Sequence, residues 1–202
     1  MKARYTKIIT LAALLVLLCF SCSTDLKLTK PDEPEVTVAP ENEVGNWEDC
    51  GGKIGEHACN FAFKDQNGKD WRLYDHYNDI IVLDFSTMWC SVCMGVAVRV
   101  EEFQDRYGKE DAIWVTVLLQ DLNGRLPTVQ HVYEWARAFD IETAPVLVAD
   151  ESVFDIVLEE GYNVVSLPTI IIIDRKMVNI QIMAGWNQYQ LIKQVEQLIL
   201  GM

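Results

Sequence analysis

The sequence predicts an α/β fold, a central sheet with helices on both of its faces, and three observations carry that expectation. Apolar runs at Ile80–Phe85 and Ile113–Leu119, each interrupted by a single polar residue, read as strands buried on both sides. Thr169–Ile173 is strongly β-branched and reads the same way. Between these runs apolar residues recur at helical spacing, at Val96, Val100, Phe103 and Tyr107 and again over Val129–Phe139. Strands therefore alternate with helices, the order of a sheet built with crossover helices.

Taken in order, the 202 residues leave room for one domain behind targeting and linker segments. Lys2, Arg4 and Lys7 form a positive start, and Ile8–Phe20 is an apolar run too short for a comfortable membrane span, so residues 1–21 are expected to be a signal peptide. Cys19-Phe20-Ser21-Cys22 is similar to a bacterial lipobox, with Cys19 where leucine is usual, and implies lipidation at Cys22. Ser23 then fits outer-membrane sorting. Residues 22–46 are rich in Pro and acidic residues without periodicity, which reads as a disordered, lipid-anchored tether reaching roughly 25–30 Å. Loss of Lys2, Arg4 and Lys7 with the signal moves the net charge from −13 to −16. That argues against nucleic acid as a partner and against membrane contact other than through a lipid anchor.

Residues 47–202 form the expected domain. Ala58–Lys64 and Trp71–Leu73 flank the turn Asp65–Asp70 as a short hairpin. Strand Ile80–Phe85 precedes a helix from Cys93 to Tyr107, which Gly108 stops. Further strands are expected at Ile113–Leu119, Val146–Ala149, Thr169–Ile173 and Val178–Met183, and further helices at Val129–Phe139, Ser152–Glu160 and after Gly185 through Leu200.

Cys90-Ser91-Val92-Cys93 stands where an apolar strand meets a helical pattern. One helical turn brings both sulfurs to one face, and a helix N-terminus favours a thiolate. A redox site is the expected reading. Half a zinc site and a structural staple are the alternatives. Zinc needs four ligands; the other CxxC, Cys19–Cys22, spans the end of the expected signal peptide, and the sequence has no HxxxH or CxxH, so no metal and no cofactor is assigned. Cys50 and Cys59 flank a Gly-rich turn and are expected to pair as a structural disulfide, against two separate buried thiols. Asp84 lies inside an apolar strand, where an unpaired carboxylate is costly and its pKa rises.

These residues resemble the TlpA-like, redoxin-type thiol-disulfide oxidoreductases of the bacterial envelope. The resemblance covers residues 51–200. It rests on Gly55-x-x-Ala58-x-x-Phe61-x-Phe63-x-Asp65-x-x-Gly68, on Val82–Cys93, on Val165-Ser166-Leu167-Pro168-Thr169 and on Gly185, with Ala144-Pro145-Val146-Leu147 before an extra central strand. It implies a thioredoxin-like fold with a mixed sheet and an N-terminal β-hairpin extension. It also implies an enzyme that exchanges disulfides with protein thiols, located in the periplasm or cell envelope. By the same resemblance Cys90 is the nucleophile, Cys93 the resolving thiol, and Asp84 the buried acid that relays a proton. Pro168 follows a cis bond that sets Leu167 and Thr169 beside the sulfurs, and Trp89 walls the docking surface. The departures are a Ser-Val dipeptide without proline between the cysteines, and Cys59 and Asn60 where Pro and Asp are usual; they bear on redox potential rather than fold. With no cation or histidine near Cys90, the expected direction is reduction of the partner.

Two other functions compete. Peroxide reduction belongs to relatives whose cysteine sits in a Pro-x-x-x-Thr/Ser-x-x-Cys setting, and that setting is absent before Cys90. A non-enzymatic lipoprotein gripping copper or a partner through its CxxC lacks accessory Met or His residues; His57, His76 and His131 fall at unrelated spacings.

Overall fold

The strand β3 (Ile80–Thr87) is buried along all eight residues, because it is enclosed on both edges and both faces. In the computed structural model, which describes Trp47, residues 50–153, Val157 and residues 161–202, it pairs in parallel with β4 (Ala112–Gln120) and antiparallel with β6 (Thr169–Ile173). The sheet extends through β5 (Val146–Val148) to the hairpin β1 (Ala62–Asp65) and β2 (Asp70–Arg72) on one side. On the other it ends at β7 (Asn179–Ala184). The seven-strand order is β2-β1-β5-β4-β3-β6-β7. It is a mixed sheet with an N-terminal hairpin, as expected from the sequence.

The alternation along β3 assigns its faces. Ile80 and Val82 pack in one cluster with the buried residues of four helices: α1 (Ser91–Ala97), α2 (Val100–Tyr107), α3 (Val129–Ala138) and α4 (Gln188–Ile199). Ile81, Leu83 and Phe85 face the opposite cluster, with Phe61, Tyr74, Val153 and Tyr162. Val153 and Val157 are helical there, within the predicted Ser152–Glu160 helix; residues 154–156 and 158–160 lie outside the described residues. So do residues 1–46, and with them the predicted signal, tether and lipidation at Cys22.

One expected element differs. The helix predicted to run from Cys93 to Tyr107 is broken after Ala97 and restarts at Val100. Gly95-Val96-Ala97-Val98 contains a glycine and two β-branched residues, weak helix formers. The Arg99 N–H turns back to the Val96 carbonyl at 2.9 Å, a tight three-residue closure. The second helix is then fixed by Glu101, whose carboxylate accepts from the backbone N–H groups of Glu142 and Thr143 across the cluster.

Candidate active site

β3 ends at Thr87, and a two-residue turn through Met88 and Trp89 delivers Cys90 to the N-cap of α1. Its backbone is extended there (φ −85°, ψ 111°), which turns its sulfur back over the first helical turn to accept the Cys93 N–H at 3.2 Å. Cys93 lies one turn along, and the two sulfurs are joined in a disulfide. The pair is asymmetric: Cys93 is wholly buried, whereas Cys90 retains 8 % exposure and lines a cavity of about 470 Å³.

Leu167 and Trp89 line that same cavity. Trp89 is half exposed, and its indole N–H donates to Gln120 Oε1 at 2.9 Å. The Leu167–Pro168 peptide bond is cis. Thr169, which the resemblance puts beside the sulfurs, opens β6 directly after that cis bond. Its backbone lies in the sheet opposite Phe85 and Ala184, its hydroxyl donates to the Ser166 carbonyl at 2.7 Å, and it is not part of the cavity wall.

Asp84 projects from β3 on the side where the helices pack, in register with Thr116 of β4. It is 1 % exposed. Ser86 Oγ donates to Oδ1 at 2.8 Å and Thr116 Oγ1 to Oδ2 at 3.4 Å. Burial pushes its pKa up to about 7, against the lowering effect of those hydroxyls and of the Trp114 indole N–H, which acts from beyond hydrogen-bond geometry.

Cys50 and Cys59 are also joined, with Cα atoms 4.9 Å apart, and they pack with the face opposite α1. The Tyr162 hydroxyl donates to the Cys59 carbonyl at 2.8 Å, which ties this staple to the chain that runs on to Ser166 and Leu167. The histidines hold local structure. His57 stacks on Trp47, the His76 ring pairs with Asp79 at 3.0 Å, and His131 closes a capping box with Thr128.

Sequence reasoning missed two contributors. Gln120 carried no signal, because its role depends on where β4 ends beside Trp89. Thr87 did carry one: it stands three residues before Cys90, so half of the peroxide-reducer setting is present, with Leu83 in place of its proline. Thr87 is 1 % exposed, lines the cavity, and its hydroxyl has no hydrogen-bond partner.

A mixed sheet flanked by helices, with a CxxC disulfide at a helix start, defines a thioredoxin-type thiol-disulfide oxidoreductase. The model of the AhpC/TSA family matches residues 54–181, and the chain belongs to that family. A thioredoxin-like protein, YneN of Bacillus subtilis, is 26 % identical over 124 residues, covering 61 % of this chain and 67 % of the relative. Among solved structures, the exposed lipoprotein thioredoxin Etrx1 of Streptococcus pneumoniae is 25 % identical with a TM-score of 0.57, covering 71 % of this chain and all (100 %) of its own. A thiol:disulfide interchange protein of Chlorobium tepidum shares the fold at 16 % identity and TM-score 0.58, over 73 % of this chain and 97 % of its own. Peroxidoxin BcpB of Mycobacterium tuberculosis shares it too, at 16 % identity and TM-score 0.55, over 74 % and 97 %.

Proposed function

We propose that this chain is an envelope enzyme that reduces disulfides of protein partners, with Cys90 as the attacking thiol and Cys93 as the resolving one. The observation that carries the reading is the asymmetry of the two sulfurs: one opens on a cavity at a helix start, the other is enclosed behind it. In the reduced protein the Cys93 N–H aimed at the Cys90 sulfur stabilises a thiolate there. That thiolate attacks one sulfur of the partner's disulfide, and the partner's other sulfur leaves as a thiolate. Cys93 then gives up its proton and attacks the Cys90 sulfur, which frees the second partner thiol and closes the Cys90–Cys93 disulfide. Two electrons pass to the partner. Asp84, buried on the α1 side with a pKa near neutrality, is the acceptor for the Cys93 proton. Trp89 and Leu167 receive the partner's chain, Pro168 shapes the loop that presents Leu167, and Thr169 holds that loop through Ser166.

What surrounds Cys90 supports this direction. α1 carries no charged residue in its terminal turns, so the backbone alone stabilises the thiolate and the couple leans toward reduction. The signal-like start and the lipobox-like Cys22, together with the likeness to a lipoprotein thioredoxin, support an envelope location with a lipid anchor and outer-membrane sorting. The test is trapping. Cys93→Ser should hold partners as mixed disulfides on Cys90, and Cys90→Ser should hold none; the reverse pattern would exchange the two roles. Palmitate incorporation that is lost in Cys22→Ala tests the anchor.

Peroxide reduction is the second reading, favoured by Thr87-x-x-Cys90 and its buried, unpartnered hydroxyl. Rapid peroxide consumption by the reduced protein, with insulin disulfides left intact, would put it first.

A further inference from the structure

We infer that Trp114 is a positioning residue for the resolving step: its indole N–H, buried without a hydrogen-bond partner, closes on the Asp84 carboxylate when that group carries charge and lets go when it takes up the Cys93 proton. The inference rests on the proposed exchange reaction and adds a residue to it. Trp114 sits on β4 in register with Val82, as Thr116 does with Asp84. Strand alternation therefore puts its ring on the same side of the sheet as the carboxyl, one diagonal step away. The side chain is 1 % exposed, and its Nε1 donates but never accepts. A buried donor left unpaired is costly, and an apolar ring at this position would avoid the cost. Of the buried polar side chains, β3 and β4 place Asp84, Ser86 and Thr116 on this face, and both hydroxyls already donate to Asp84. The ionised carboxylate is thus the strongest acceptor on offer.

The surroundings keep the ring at this spot. Phe103 meets it edge-on at 5.3 Å between centroids, and Trp186 lies at 6.0 Å. Gln104 of α2 pins the strand beneath, accepting the Trp114 backbone N–H at 3.1 Å and donating to the Ala112 carbonyl at 3.4 Å. A small cavity of about 40 Å³ lined by Phe103, Trp114 and Trp186 leaves room for a tilt. The titratable groups packed over the same face are Cys90 and Cys93 of α1, joined in their disulfide, and Tyr107 of α2, whose hydroxyl is spent on Glu196 of α4. Arg106 holds that same carboxylate, and no charged side chain is among the causes of the Asp84 pKa. In the resolving step the Cys93 proton passes to Asp84, the Cys93 sulfur bonds to Cys90, and the partner's thiolate leaves. Only ionised Asp84 can take that proton, and a third donor favours the ionised form.

The test follows the indole N–H resonances of the oxidised, isotope-labelled full-length chain from pH 5 to pH 9. The Trp114 resonance should move downfield with a midpoint at about 7 as Asp84 ionises, and should stay still in Asp84→Asn. Trp135, whose indole N–H is also buried and unpartnered, is the internal control and should not move. A still or upfield-moving Trp114 resonance, or the same movement in Asp84→Asn or at Trp135, would overturn the inference. In reduced Trp114→Phe, the pH inflection for closing the Cys90–Cys93 disulfide against hydroxyethyl disulfide should rise by about one unit. Closure should then be about fivefold slower than in the wild type at pH 7 and nearly equal to it at pH 9. An unmoved inflection, or the same loss at every pH, would reduce Trp114 to a packing residue. Absence of any mixed disulfide on Cys93→Ser would instead overturn the exchange reaction, which the resonance titration does not test.

Discussion

Replacing Asp84 by Asn should stabilise the oxidised protein, and the gain should grow with pH. The carboxyl is 1 % exposed and has only two hydroxyl donors, so burial lifts its pKa from 3.8 to about 7. A group that binds its proton more tightly in the folded state supports folding below its unfolded pKa. That support drains away as pH rises through the folded value. Between about pH 4 and pH 7 the wild type therefore loses stability, by about 4 kcal/mol at most, from roughly 1.4 kcal/mol per pKa unit. Asn has nearly the shape of the protonated acid and cannot ionise. The two proteins should match near pH 4, and Asp84→Asn should be the more stable by about 3–4 kcal/mol at pH 8. In a chain of this size that corresponds to about 6–16 °C in Tm. Guanidinium unfolding of the oxidised proteins from pH 4 to pH 9 measures it directly. Parallel curves across that range would refute the burial argument, and a variant less stable at pH 8 would reverse its sign. If Asp84 also accepts the Cys93 proton, the same variant should lose the inflection near pH 7 in its turnover profile.

Other consequences follow from packing on the opposite face. Tyr162→Phe should cost about 1–3 kcal/mol in denaturant unfolding, because it leaves the buried Cys59 carbonyl without its donor while the ring keeps its place against Phe85. Gly52→Ala should destabilise by about 1–3 kcal/mol, since a Cβ there would run into the backbone of Gly161 and Tyr162. A Gly52→Ala protein with unchanged stability would mean that these segments separate freely.

The central fold was readable because each buried strand announces itself. β3, β4 and β6 are largely apolar, and the polar residues that interrupt the runs Ile80–Phe85 and Ile113–Leu119, Asp84 and Thr116, turn out to be cross-strand neighbours. The break between α1 and α2 was hidden because Val96, Val100 and Phe103 keep helical spacing across it; spacing records which side is buried, not whether the backbone is continuous. The site was legible in its chemistry and not in its shape. Cysteines at i and i+3 specify a closable pair whatever surrounds them. The cavity is lined by Thr87 at the end of β3 and by Leu126 and Val164 on two separate connections, which meet only when the sheet brings them together.

The placement of Asp84 shows how the fold serves the chemistry. Phe85, its neighbour in sequence, packs against Tyr162 on the opposite face, so a one-residue slip of β3 would send the carboxyl into an apolar cluster and away from the side where α1 packs. Antiparallel pairing with β6 sets Phe85 opposite Thr169, immediately after the cis-proline, so the strand that orients the acid also places the loop that walls the cavity. The acid is costly to keep, because ionised it weakens the fold. The proposed role, acceptor of a proton near neutrality, gives a reason for keeping that cost in a strand buried along its whole length.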